Sequence, residues 1–172
     1  MEGQRGEKTE MQYLISKLEK HKYVSFTRAN IEETTLEDIF FAHPESINML
    51  NIFPNVLVLD STYKTNIYRM LLFEIGGVTS RKMTYSVGFS FLSFEQDNNF
   101  TWALEMLVGL LTLKLNMPKV VLIERDNALI NVVANVLLKQ TMYFVLFILR
   151  RMSKLSASWI VESKQSLRMQ KK

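Results

Sequence analysis

The chain has 172 residues, 48% of them apolar, with 21 Lys and Arg against 17 Asp and Glu for a net charge of +4. That length suits one domain with tails, and the apolar content supplies a core, so disorder throughout is excluded. There is no cysteine, which excludes a disulfide framework, a thiolate metal site and a Cys nucleophile.

Residues 1–10 are polar, lack the apolar segment of a secretory signal and read as a disordered tail. Met11, Leu14, Ile15 and Leu18 then lie on one helical stripe. Residues 23–28 alternate as a strand does. Thr35, three residues before Asp38, resembles a helix start with an imperfect capping box, and Leu36, Ile39 and Phe40 face one way. His43 and Pro44 punctuate, and 46–51 fits another helical turn. Residues 11–54 thus form a lead-in of helix and strand.

The core is expected over 55–149. Val56, Leu57, Val58 and Leu59 are an unbroken apolar run ending at Asp60, the pattern of a strand buried on both faces. A second strand is expected at 68–76, turn chemistry at Gly76 and Gly77 and then at Ser80, Arg81 and Lys82, and a third strand, antiparallel to the second, where Met83, Tyr85, Val87, Phe89 and Phe91 alternate with polar or small residues. Asp97 or Asn98 caps a helix with a Phe100, Leu104, Leu107, Leu111 stripe. Val120 to Ile123 is another short apolar run, ending at Glu124. Asp126 caps a helix that turns Leu129, Ile130, Val133 and Leu137 inward. A turn at 139–140 separates that helix from a last apolar run at 142–149. The window 128–149 carries Asn131, Asn135, Lys139 and Gln140, so no membrane span is expected. Three antiparallel strands followed by βα crossovers give a mixed α/β sheet with helices on its faces, the 120–123 strand parallel beside 56–59.

Residues 150–172 hold seven Lys and Arg against one acid, Glu162. The basic character therefore belongs to a C-terminal helix or tail, with Met152, Leu155 and Trp159 on one side, while the body is slightly acidic. Such a tail contacts nucleic acid or an anionic surface, or is a solvated end.

Asp60 and Glu124 share one feature: each is the first acid after four apolar residues. On parallel neighbouring strands both carboxylates reach the same sheet edge. Two close carboxylates repel unless a proton or a cation lies between them, and a hard divalent cation such as Mg²⁺ takes oxygen ligands. A pair of such ions clamps a phosphodiester. The alternative is that the acids mark where buried strands reach water. Lys64 and Arg69 flank the first acid and, with Arg150 and Arg151, are candidate phosphate contacts; each reads also as a solvated charge. His43 reads as a hydrogen-bonded or packed residue, and Trp102, Tyr85 and the Phe series as core. Ser61 and Thr62 have no base placed to make them nucleophiles.

The stretches at 40–80, 82–111 and 117–136 resemble the Mutator-like element (MULE) transposase domain of plants, also found in transcription factors of the far-red-impaired-response type. Asp60-Ser61-Thr62-Tyr63-Lys64-Thr65-Asn66 is the densest motif, supported by NFTWAL at 99–104 and ERDNAL at 124–129. The resemblance implies a ribonuclease-H-like fold and a Mg²⁺-dependent DDE strand-transfer site, with Asp60 as first acid. Glu124 stands where the family's second aspartate falls. The family's Cys and His pattern is absent from 142–148, and its third acid, a glutamate, lies beyond an insertion that a chain ending at Lys172 does not hold. The expectation is a C-terminally truncated, transposon-derived domain, inactive or nearly so. The alternative is a non-enzymatic, DNA-linked regulatory or self-association module. DNA as partner and a nuclear location follow from the resemblance alone.

Overall fold

The computed structural model describes residues 9–30, 35–62, 68–112, 117–124, 127–137 and 145–149. In chain order the elements are α1 (Glu10–Lys20), β1 (Val24–Ala29), β2 (Leu36–Ala42), α2 (Pro44–Ile52), β3 (Val56–Thr62), β4 (Leu71–Val78), β5 (Thr84–Leu92), α3 (Asp97–Gly109), β6 (Val120–Glu124), α4 (Asn127–Val136) and β7 (Val145–Leu149). The strands make one seven-stranded sheet in the order β1-β2-β5-β4-β3-β6-β7. From β1 to β3 every pairing is antiparallel, while β3 with β6 and β6 with β7 are parallel. The α/β mixed sheet expected from the apolar runs is present, and the two strands that carry Asp60 and Glu124 are parallel neighbours.

Burial explains why β3 sits in the middle. Leu57 and Leu59 join Val121 and Ile123 of β6 and Phe73 and Ile75 of β4 in the main core, against Phe100, Leu104 and Leu107 of α3 and Leu129 and Val133 of α4. Val58 packs with Leu122 and Val78 in a second, smaller cluster, on the opposite face by the strand's period of two. A strand with apolar neighbours above and below needs the unbroken run that 56–59 carries. Phe73 and Phe100 meet edge to face, their centroids 5.3 Å apart, which adds about 1 kcal/mol beyond area burial.

Three local expectations are corrected. Residues around Thr35 to Phe40 do not start a helix but enter β2. Leu36, Ile39 and Phe40 fit helical spacing, yet Phe40 pairs with Phe26 on one side and Ser90 on the other, and Asp38, Ile39 and Phe40 are fully buried. The ladder from β5 comes from fifty residues away and overrides the local pattern. Of the turn residues expected, Ser80, Arg81 and Lys82 do make the turn, where Thr79 N donates to Met83 O at 2.9 Å and Lys82 takes φ 64°, while Gly76 and Gly77 do not. Gly77 is inside β4, opposite Tyr85, and a Cβ there would stand 2.5 Å from the tyrosine ring. Glycine makes room for that ring instead of forming a turn. The N-cap of α3 is Gln96, with no side-chain cap bond, and Asp97 is the first helical residue, where a carboxylate favours the helix dipole. The helix ends at Gly109, so Leu111 lies beyond it.

The N-terminal elements share this framework. Thr9 caps α1: its hydroxyl accepts from Gln12 N at 3.2 Å, and its own N–H donates to Gln12 Oε1 at 3.0 Å. Asn51 of α2 ties that helix to the end of α3, donating to Leu110 O at 3.0 Å and accepting from Thr112 N at 2.8 Å. Of the disordered tail expected at 1–10, Thr9 and Glu10 instead cap and begin α1; residues 1–8, Asp126, the turn at 139–140 and the helix of Met152, Leu155 and Trp159 lie outside the described residues. Among the described residues no helix is long and apolar enough to cross a membrane.

Candidate active site

The parallel register of β3 and β6 runs Val56↔Val120 to Leu59↔Ile123. Asp60 and Glu124 each follow the last pair by one residue. They therefore occupy adjacent positions at the same edge of the sheet, on strands about 4.8 Å apart. On the other side of β3, Asp60 stands directly opposite Glu74 of β4. The backbone thus sets three acid positions, Glu74, Asp60 and Glu124, in one row across three strands. Asp60 and Glu74 are both half-buried, and Glu74 Oε1 accepts from Ser86 Oγ at 3.0 Å.

Facing positions of an antiparallel pair share a face, so Asp60 and Glu74 bring like charge together, which is unfavourable without a counter-charge. Their oxygen donors fit a hard divalent cation. Among the described residues, no group of three or more His, Cys, Asp and Glu could hold a metal ion. Glu74 was not singled out from the sequence: it lies in mid-strand, and only the register of β4 against β3 puts it beside Asp60.

The remaining candidates separate. Arg69 is exposed, two residues before β4, with φ 55°. Lys64, Arg150 and Arg151 lie outside the described residues. His43 is the N-cap of α2: its Nδ1 accepts from Glu45 N at 3.2 Å, and its ring meets that of Tyr23 at 5.1 Å. It is a capping residue, which gives the hydrogen-bonded role expected of it a specific form. The Tyr85 hydroxyl is buried and, among the described residues, has no hydrogen-bond partner. Burial pushes its pKa up to about 12.

A buried polar network lies at the other end of the sheet. Asp38 is fully buried and faces Arg28 across β1 and β2. Arg28 Nε donates to Asp38 Oδ2 at 2.7 Å, and the two form an ion pair. Asn99 of α3 donates to both carboxylate oxygens, at 3.0 and 3.2 Å, and Ser93 N donates to Oδ1 at 2.9 Å. The guanidinium of Arg28 lies over the Trp102 ring, 5.4 Å from its centroid. Two residues of the stretch 99–104, Asn99 and Trp102, are therefore spent on fastening β1 and β2 to α3.

A mixed sheet with helices packed on it, and acid positions side by side where its central parallel strands end, defines an α/β domain with a carboxylate edge. A family model described as MULE transposase domain matches residues 56–149, which include all of β3 to β7, more than half of the chain. The chain belongs to the MULE transposase domain family. It is similar to "Putative protein FAR1-RELATED SEQUENCE 10" of Arabidopsis thaliana, 28% identical over 98 residues, a match covering 57% of this chain and 14% of that protein. The chain thus spans a small part of the length of that relative. Among solved structures, a chain of the simian T-cell lymphotropic virus intasome in complex with PP2A regulatory subunit B56 gamma aligns over 63% of this chain and 38% of its own length, with a TM-score of 0.31 and 8% identity. That likeness is too slight to define the fold.

Proposed function

We propose that this transposon-derived domain has a ribonuclease-H-like core whose ancestral chemistry is Mg²⁺-dependent cleavage and transfer of DNA strands at Asp60 and Glu124. The observation that carries this reading is the placement of those two acids one step past the Leu59↔Ile123 pair on parallel neighbours. The order β5-β4-β3-β6-β7, three antiparallel strands and then two parallel ones, supports the fold assignment.

Asp60 and Glu124 would hold the metal. When bound, Mg²⁺ supplies Lewis-acid polarisation of a phosphodiester and an activated water. The chain's own part is to present fixed carboxylates. Asp60 is set from both sides, by Glu74 across the antiparallel ladder and by β6 across the parallel one. Glu124 has one more methylene than the aspartate of the family motif it resembles. A longer arm displaces the carboxylate, and preorganised sites lose rate steeply with small displacements. Strand cleavage is therefore absent or residual, and the domain acts in the nucleus as a DNA-associated module.

The test is a nicking assay on supercoiled DNA with and without Mg²⁺, using the full chain and Asp60→Ala. The expected result is no difference between them, alongside measurable DNA binding by both. Mg²⁺-dependent nicking that vanishes in Asp60→Ala overturns the inactive reading. Absence of any DNA binding overturns the DNA-associated one.

A further inference from the structure

Resting on that DNA-associated reading, we propose that the sheet edge opposite Asp60 and Glu124 binds the sugar-phosphate backbone of duplex DNA, with one phosphate seated in a notch beside Lys82. The edge is fixed by strand register. Val120 pairs with Val56, Leu57 with Gly77, and Val78 with Thr84. The starts of β6, β3 and β5 and the end of β4 therefore stand side by side. Lys119 immediately precedes β6, Asn55 immediately precedes β3, and Ser80, Arg81 and Lys82 turn from β4 into β5. Lys119, Arg81 and Lys82 are exposed, and among the described residues none of the three is in a salt bridge. Asp60 lies four residues along β3 from Val56, about 13 Å in extended chain, so the two edges are separate surfaces.

Charge divides along the strands. The stretches 46–59, 75–94 and 106–123, which supply this edge, contain no Asp or Glu. The acids that end them, Asp60, Glu95 and Glu124, all come at the far edge. Cations with no acid among them raise a positive local potential. β6 and β4 are two strand spacings apart, about 10 Å, which is three base steps along one DNA strand at about 3.4 Å each. Lys119 and Lys82 are thus spaced for two phosphates of one strand.

The notch has a volume of about 190 Å³, and its polar lining is Asn55, Thr79, Ser80 and Lys82, the rest being apolar. None of its lining residues adjoins an acid in the chain. At about 30 Å³ per water, it has room for one phosphate group and a few waters. Thr79 Oγ1 accepts from Met83 N at 3.2 Å, which leaves the hydroxyl proton to donate. Asn55 O accepts from Lys119 N and from Val120 N, both at 3.0 Å, so the backbone ties Lys119 to the notch. An ammonium, two hydroxyls and a carboxamide are the side-chain groups that hold phosphate oxygens, and contacts of this kind carry no sequence information. The far edge of a second copy of this chain also has complementary charge, but its Asp60 and Glu74 are half-buried in their own sheet and do not project into such a notch.

The experiment measures binding of the full chain to a labelled, fully paired duplex by fluorescence anisotropy over a range of salt concentrations, with the oligomeric state followed by sedimentation. Lys82→Gln, Arg81→Gln and Lys119→Gln are each expected to weaken binding about fivefold, equally for duplexes of different sequence, and to reduce the salt slope by about one. The triple variant reduces it by about three, and Lys82→Arg retains both affinity and slope. Ser80→Ala weakens binding and leaves the slope unchanged, because it removes a hydrogen bond and no charge. Affinity and slope that are unaltered in the triple variant overturn this inference and leave DNA association standing on another surface. A self-associated chain that the triple change dissociates, with DNA binding intact, assigns the edge to a second copy and overturns it equally. No binding of the duplex by the wild-type chain overturns both this inference and the DNA-associated reading.

Discussion

Asn99, on the first turn of α3, donates its side-chain amide to both oxygens of Asp38 in the middle of β2, at 3.0 and 3.2 Å. With Arg28 on the other side, the buried carboxylate is enclosed by partners from β1, α3 and the segment after β5. Removing either partner leaves a buried polar group unmatched. Asp38→Ala should cost about 3 kcal/mol, since it takes the ion-pair partner from Arg28, which keeps only Asn98 as a hydrogen-bond acceptor, and the acceptor from Asn99 and Ser93 N. Asn99→Ala should cost about 1–3 kcal/mol. Urea unfolding of the variants measures both.

Gly77 and Tyr85 form a second pair whose partners depend on each other. A Cβ at position 77 meets the ring at 2.5 Å, so Gly77→Ala is expected to destabilise by about 1–3 kcal/mol. Combining it with Tyr85→Ala should cost less than the sum of the two single changes, because the clash disappears with the ring. Thermal unfolding of the four proteins in this cycle decides it. Tyr85→Phe is expected to be neutral or stabilising, since it removes a buried hydroxyl without a described partner.

The same hydroxyl makes stability depend on alkaline pH. Its folded-state pKa is raised from 10.0 to about 12 by burial. The neutral phenol is favoured in the folded chain, so the contribution is complete below the unfolded value of 10.0 and is lost as pH rises towards about 12. The wild-type chain should lose stability more steeply in that window than Tyr85→Phe. Parallel denaturation curves over the window, with ultraviolet titration of the tyrosinate, check the sign.

The family match begins at residue 56, but the folding unit does not. Phe40, Ala42 and Leu50 are in the main core, and β2 pairs with β5. A chain reduced to 56–149 leaves β5 as an unpaired edge and opens the core under α3. It is expected to be largely unfolded or aggregated, where the chain from residue 9 onward folds. Circular dichroism and amide exchange on the two lengths provide the comparison.

The Mg²⁺ binding proposed for the acidic edge has a readout independent of cleavage. A ligand that binds only the folded chain raises stability by about 2.7 kcal/mol at about a hundredfold over Kd. A rise in Tm with Mg²⁺ is expected in the wild-type chain and is expected to be lost in Asp60→Asn. An equal rise in both means that the ion binds elsewhere.

Strands whose burial follows from their own residues were readable directly. Residues 56–59 and 120–123 are apolar at every position, which only a doubly covered strand requires; the alternation over 83–91 reads correctly as a strand but not as one packed face, since Met83 is exposed, Phe89 and Phe91 are half-buried, and Ser90 is buried beyond the irregularity at Val87. The acids at 60 and 124 were legible for the same reason, since each marks where its run stops. β2 was not legible. Its Leu36, Ile39 and Phe40 fit a helix as well as a strand, and the deciding bonds come from Phe26 and Ser90. The buried Asp38 compounds this, because a charged residue reads as surface until Arg28 and Asn99 are known to enclose it. Glu74 escaped notice because neighbourhood with Asp60 is a property of strand register, which residues 71–78 do not encode by themselves. Gly77 looked like a turn because the ring that needs its space belongs to another strand.

The central strand also limits how this part of the chain can change in length. β3 is clamped on one flank by an antiparallel ladder and on the other by a parallel one. One additional residue inserted ahead of Leu59 would reverse the facing of everything up to it or after it, turning the Asp60 carboxylate in among Phe73, Phe100 and Ile123 and expelling a leucine to water. The hairpin at 79–83 can lengthen at little cost, whereas the segment leading to Asp60 tolerates substitution but not indels.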